Sequence, residues 1–221
     1  MLLLSAAARL LQCDVRSDEE ISAVAAALEP RFQGRLDALL HGAAFAPPEA
    51  LRGGSLLATS REAWATTLDV SAYSLLALTR GLHPLLQAAA SNTRGGDGVV
   101  HYGPSVTTLS YIGARRAVPN YLVMGPAKAA LEATARGLAA ELGPEGIRVN
   151  VISPGPVRTV AAKSIPGFSA MTRSVAEHAP LRKNISAEDV AGLATFLASD
   201  AGSGITGQTM QVDAGHSAVW V

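Results

Sequence analysis

The chain has one cysteine, no net charge and no long apolar run, and each shortage removes a class of function. The single thiol, Cys13, excludes an intrachain disulfide and a thiolate zinc site, which leaves a reducing compartment as the default. Eighteen basic residues balance eighteen acidic ones without runs of either sign, so no nucleic-acid partner and no acidic membrane surface is expected. Nothing approaches the ~20 apolar residues of a membrane span. The apolar opening "MLLLSAAARLLQC" lacks a basic leading region, is interrupted by Arg9 and has Gln12 where a cleavage site needs a small residue, so it does not read as an export signal. His41, His83, His178 and His216 fall at no metal-ligand spacing and read as structural or exposed, so no metal site is expected.

What is present is apolar bulk: 48% of 221 residues, enough for a substantial core in a single domain or slightly more. "LLQCDV" reads as a short strand, and Ser17 followed by Glu20 has capping-box spacing for a helix over "DEEISAVAAALEPRF". "RLDALLHGAA" is a second strand. Thr59 or Ser60 caps a long helix reaching about residue 86, broken or ended near Pro84. "VTTLSY" is a β-branched strand, the alanine-rich stretch 124–142 is a helix stopped by Gly143, and "IRVNVIS" is the next strand. Residues 163–179 read as short helix and loop, Ser186 caps "AEDVAGLATFLAS", and "GQTMQVDAG" holds the last strand. Alternating strands and helices predict an α/β fold with a parallel sheet, in which ligands bind beyond the carboxyl ends of the strands. Those ends are Asp14, residues 42–46, residues 110–111 and residues 153–159.

The third of these opens "SYIGARRAVPNYLVMGPAKAAL", with Tyr111 and Tyr121 ten residues apart and Lys128 seven beyond the second. Seven residues are about two helical turns, so Tyr121 at a helix entrance and Lys128 inside that helix share one face. A phenol ionises near pH 10, and a neighbouring ammonium would lower that value. Taken alone, the spacing equally describes a packed tyrosine and a solvated lysine.

The surrounding blocks are more specific. "LQCDV", "HGAAFAP", "LDVSAYS", "TLSYIGARRAVPNYLVMGPAKAALEATARGLAAELGPEGIRVNVISPGPVRT" and "APLRKNISAEDVAGLATFLASDAGSGITGQTMQVDAG" resemble the short-chain dehydrogenase/reductase superfamily. Within it they are most similar to the bacterial and plastid-type enoyl-acyl-carrier-protein reductases of fatty-acid synthesis. The resemblance implies a Rossmann-like parallel sheet with flanking helices. It also implies reduction of the trans-2 double bond of an acyl thioester by NADH, with NADPH left open. Tyr121 then matches the phenol that stabilises the enolate, Lys128 the ribose anchor and Tyr111 the second active-site tyrosine. Asp14 and Val15 match positions beside the adenine, Ala43 a cofactor contact, and Val157, Thr159 and Ala161 the nicotinamide segment. Ala44 stands where the family usually has glycine, so its methyl group would crowd the dinucleotide. Phe45, Ala46, Met124 and Phe168 would line an acyl pocket, though the same residues read equally well as core. Ser71 replaces the asparagine of ketone-reducing relatives, and Thr108 stands at their strand-end serine; the paired tyrosines and the altered asparagine position favour enoyl over ketone reduction.

The resemblance implies a homotetramer acting on carrier-linked enoyl thioesters in the cytoplasm, or in a plastid stroma had a transit peptide preceded the sequence. It also implies two strands and a glycine-rich turn ahead of "LQCDV" that this sequence does not contain, so residues 1–221 read as one N-terminally truncated reductase domain. In that case "LLQCDV" either pairs directly with "DALLHGA" or leaves that strand as an apolar edge. Three readings stay open: an enoyl reductase, a ketone or alcohol reductase, and a non-catalytic oligomer-forming relative. Arg115 and Arg116 read as a solvated turn.

Overall fold

The computed structural model describes residues 10–51, 55–91, 103–159, 162 and 167–220. Four parallel strands, β1 (Ala38–His41), β2 (Ser105–Leu109), β3 (Arg148–Pro154) and β4 (Thr209–Val212), lie side by side in chain order. Their register sets His41 beside Thr108, and Leu109 beside Ile152. β2 carries Val106, Thr107 and Thr108 and β3 carries Val149, Val151 and Ile152, and both strands are buried nearly throughout, as expected for strands covered on both faces.

The helices follow from local signals. Helix α1 (Asp18–Leu28) starts at Ser17, whose hydroxyl accepts the Glu20 N–H at 3.1 Å. The Glu20 carboxylate does not close the box on Ser17 and takes the Asp14 N–H instead, at 2.7 Å. Ser60 is the cap of α2 (Arg61–Leu68), which passes through one wide π-type turn at Asp69–Tyr73 into α3 (Ser74–Ser91). Helix α4 (Met124–Leu142) ends at Gly143, and α5 (Phe168–His178) precedes α6 (Ala187–Ala198). Ser186 and Asp189 make a complete capping box at α6, with bonds of 3.3 and 2.8 Å.

Two expectations are corrected. The long helix does not stop at Pro84: α3 continues to Ser91 with the proline inside it. The lost backbone bond is offset by a buried face of Leu82, Leu85, Leu86, Ala89 and Ala90, because packing overrides local propensity. "LLQCDV" forms no strand over residues 10–15; Leu10 is 98% exposed, and the Asp14 N–H is held by Glu20 rather than by a neighbouring strand. β1 is accordingly an edge that pairs only with β2 among the described residues, and Leu40 is 57% exposed on it.

The main core lies between the sheet and α3 and α4, with Leu75, Leu86, Val106, Leu131, Ile147 and Val149 wholly buried. A smaller cluster gathers Ala46, Ala63, Tyr121, Val123 and Met124 above the sheet's C-terminal edge. Leu131→Ala should lower stability by about 2–5 kcal/mol through cavity formation, read as a lower urea midpoint at unchanged slope.

Candidate active site

β2 ends at Leu109, and the chain there is gripped from α4. The Lys128 ammonium donates to the Leu109 carbonyl at 2.7 Å. One turn on, the buried Glu132 carboxylate accepts the Ser110 hydroxyl at 2.8 Å and the Arg115 Nε–H at 3.3 Å. Arg116 donates to the Ser217 carbonyl at 3.0 Å. Both arginines stand exposed on a turn, as the sequence suggested, and each is anchored there by one bond.

Tyr111 leaves this strand end and meets Tyr121 edge to face, with ring centroids 4.9 Å apart. Tyr121 is 8% exposed and flanked by left-handed residues, Asn120 at φ 62° and Leu122 at φ 39°. Asparagine tolerates that region but leucine does not, so the turn presenting Tyr121 is strained. Gly113 lies under the ring so closely that any Cβ there would overlap Tyr121. The Tyr111 hydroxyl donates to Met171 Sδ at 3.0 Å, while no hydrogen bond engages the Tyr121 hydroxyl among the described residues.

A cavity of about 700 Å³ opens at these strand ends, well within the range of small-molecule sites. Tyr111, Tyr121 and Lys128 all face it, as do Val157, Thr159, Phe45, Ala46, Met124 and Phe168. Asp14, Val15 and Ala43 lie outside its lining; Asp14 is paired with Arg16 at 2.6 Å. Ala161 lies outside the described residues. Ser110, at the strand end the sequence pointed to, also lines it, whereas sequence reasoning missed Met171 and the α6 residues Val190, Ala191 and Ala194. Met171 follows Phe168 at helical spacing, a signal that was available, whereas α6 reaches the cavity only through tertiary placement. A second cavity of about 530 Å³ lies beyond the tyrosine pair, sharing Tyr111, Tyr121 and Met171 as a partition.

Burial sets the electrostatics. It pushes the Lys128 ammonium down to about 8 and the Tyr111 phenol up to about 12. The Tyr121 phenol is also raised above its ordinary value, by burial first and by Tyr111 second. This reverses the expectation that the lysine lowers the tyrosine's pKa. The ammonium is directed to a carbonyl, and Tyr121 stays a protonated donor through neutral pH.

A parallel α/β sheet with a tyrosine and a lysine seven residues apart beside a strand-end cavity defines a reductase of the short-chain dehydrogenase type. The chain belongs to the enoyl-(acyl carrier protein) reductase family, whose sequence profile matches residues 3–217. It is 47% identical over 208 residues to the enoyl-acyl-carrier-protein reductase (NADH) of Neisseria meningitidis serogroup B, a match that covers 94% of this chain and 74% of that protein. Among solved structures, the enoyl-acyl carrier protein reductase of Bacillus cereus, in complex with NADP+ and indole naphthyridinone, superposes with a TM-score of 0.85 at 38% identity, covering 96% of this chain and 76% of that one. The reductase of Anaplasma phagocytophilum in complex with NAD gives a TM-score of 0.82 at 36% identity, covering 96% of this chain and 72% of that one.

The Lys128 shift has a stability consequence with a definite sign. Its folded-state pKa lies below the unfolded value, so the unfolded chain binds more protons between about 8 and 10.5. The penalty is therefore full below that window and is relieved as pH rises through it. Wild type should gain stability between about pH 8 and pH 10, while Lys128→Met should be more stable at neutral pH and lack the gain; urea melts across that range check both.

Proposed function

We propose that this chain reduces the trans-2 double bond of enoyl-acyl-carrier-protein thioesters with NADH, as one reductase domain over residues 1–221. The observation that carries the reading is the edge-to-face tyrosine pair at 4.9 Å, set beside a buried lysine on a mostly apolar cavity. The family membership supports it.

NADH, when bound, supplies the hydride. The fit of its nicotinamide ribose rests on Lys128, whose ammonium has three N–H bonds and gives one to Leu109, leaving donors for ribose hydroxyls. Val157 and Thr159 flank that position on a tight turn, with the Thr159 N–H on the Val157 carbonyl at 2.9 Å. By resemblance Asp14, Val15 and Ala43 serve the adenosine side, and Ala161 the nicotinamide side.

As hydride reaches the β-carbon, negative charge develops on the thioester oxygen. Tyr121, kept protonated by burial and without a competing partner among the described residues, donates to that oxygen and stabilises the transition state more than the ground state. Tyr111 is the accessory donor. Its present acceptor, a thioether sulfur, is weak, so exchange for a charged oxygen is favourable. Phe45, Ala46, Met124 and Phe168 hold the acyl chain and exclude water, which strengthens both hydrogen bonds.

Crotonyl and acetoacetyl thioesters presented side by side with NADH test the reading. The crotonyl substrate should turn over faster, and Tyr121→Phe should lower kcat by about 10²–10³-fold with NADH affinity unchanged. Faster acetoacetyl reduction, or an undiminished kcat in the variant, would overturn it.

A further inference from the structure

His41 closes β1 from inside the sheet, 2% exposed, and both ring nitrogens are engaged. Nδ1 lies 2.7 Å from Thr108 Oγ1 and Nε2 lies 2.9 Å from Ser74 Oγ. The direction of these bonds follows from counting protons. Ser74 Oγ also lies 2.6 Å from the Val70 carbonyl, which cannot donate, so the single serine proton points there. Toward His41 the serine can then only accept, and Nε2 must carry the ring proton. The neutral ring leaves Nδ1 bare, and Thr108 donates to it. A single ordered chain therefore runs from Thr108 through His41 and Ser74 to Val70, a residue of the wide turn between α2 and α3. The next residue, Ser71, exchanges two 2.8 Å bonds with the backbone of Phe45, a wall of the cavity.

We propose that His41 is a positioning residue of the reductase site: locked as the neutral Nε2–H tautomer, it holds the end of β2 so that the Leu109 carbonyl meets the Lys128 ammonium, and it draws the Thr108 hydroxyl proton away from the cavity. The inference rests on the function proposed above. Thr108 directly precedes Leu109, and among the described residues it is not part of the cavity wall, although Leu109 and Ser110 are. Its hydroxyl therefore serves the strand end and not the substrate. The ring also stays neutral, since burial and the nearby Lys128 charge bring its pKa down to about 4.

The tautomer is read from ¹⁵N correlation spectra of the labelled protein, and the lysine from titration of ¹³C-labelled Lys128. Wild type should show one histidine with a protonated Nε2 and a bare Nδ1 that does not titrate near the ordinary 6.5. Lys128, with a poorer hold on the Leu109 carbonyl, should titrate lower still, further from its ordinary 10.5, in His41→Leu and in the near-isosteric Thr108→Val. His41→Gln, whose amide can both accept from Thr108 and donate to Ser74, should stay close to wild type. With NADH and a crotonyl thioester, His41→Leu should lose about tenfold in turnover and His41→Gln about threefold at most. A protonated Nδ1, ordinary titration of His41, or an unchanged Lys128 titration in whichever of the two disrupting variants folds would overturn the inference. A wild type inactive on crotonyl thioesters but carrying the expected spectrum would instead remove the function reading and leave the positioning intact.

Discussion

A charged amine has been taken out of water at the end of β2, and much of the site is arranged around that cost. An ammonium in a dry interior is tolerated only with good acceptors, and the carbonyl ending a strand is a natural one because the ladder no longer occupies it. Leu109 provides that carbonyl at 2.7 Å. Glu132, four residues along the same helix, takes the next residue's hydroxyl and the Arg115 side chain. Helix α4 thus grips consecutive residues of the strand end with two side chains of opposite charge. Tyr111 emerges immediately beyond that grip, so its position is inherited from the lysine and the glutamate.

Tyr121 is placed by a different device. Left-handed backbone at Asn120 and Leu122, strained at the leucine, turns its ring inward, and the missing side chain of Gly113 gives the ring its space. Such strain persists only where packing over-determines it, and the buried cluster of Ala46, Ala63, Val123 and Met124 supplies that packing. The two phenols therefore meet through independent constraints, one electrostatic and one steric.

Much of this was legible in the sequence, for reasons that also mark the limit. Helix α4 announces itself by an alanine-rich run and a terminal glycine, and seven-residue spacing inside a helix fixes which face Lys128 shares with the entrance. The parallel sheet follows from the alternation of elements, and the strand-end location of the cavity from the parallel sheet. Pro84 misled because its penalty is local while the compensating burial of α3 is not. "LLQCDV" misled because a strand exists only with a partner, and no pattern within six residues reports whether one is there. The Tyr121–Lys128 relation misled most instructively. Spacing showed that the pair shares a face, but the direction of a pKa shift depends on which acceptor takes the ammonium and how much water is excluded.

The same dependence separates hydroxyls that look equivalent in the sequence. Thr108, Ser110 and the two tyrosines all cluster at one strand end, yet their protons have different destinations. Ser110 donates to Glu132, and the ordering of the His41 chain commits Thr108 to the imidazole. Tyr111 holds a sulfur that a stronger acceptor would displace, and the Tyr121 hydroxyl has no partner among the described residues. An oxygen gaining charge in the cavity is therefore met by the phenols, because the neighbouring hydroxyl protons are already committed to the scaffold. Burial that raises both phenol pKa values keeps those two protons in place at neutral pH, so the effect that makes the tyrosines poor acids also makes them reliable donors.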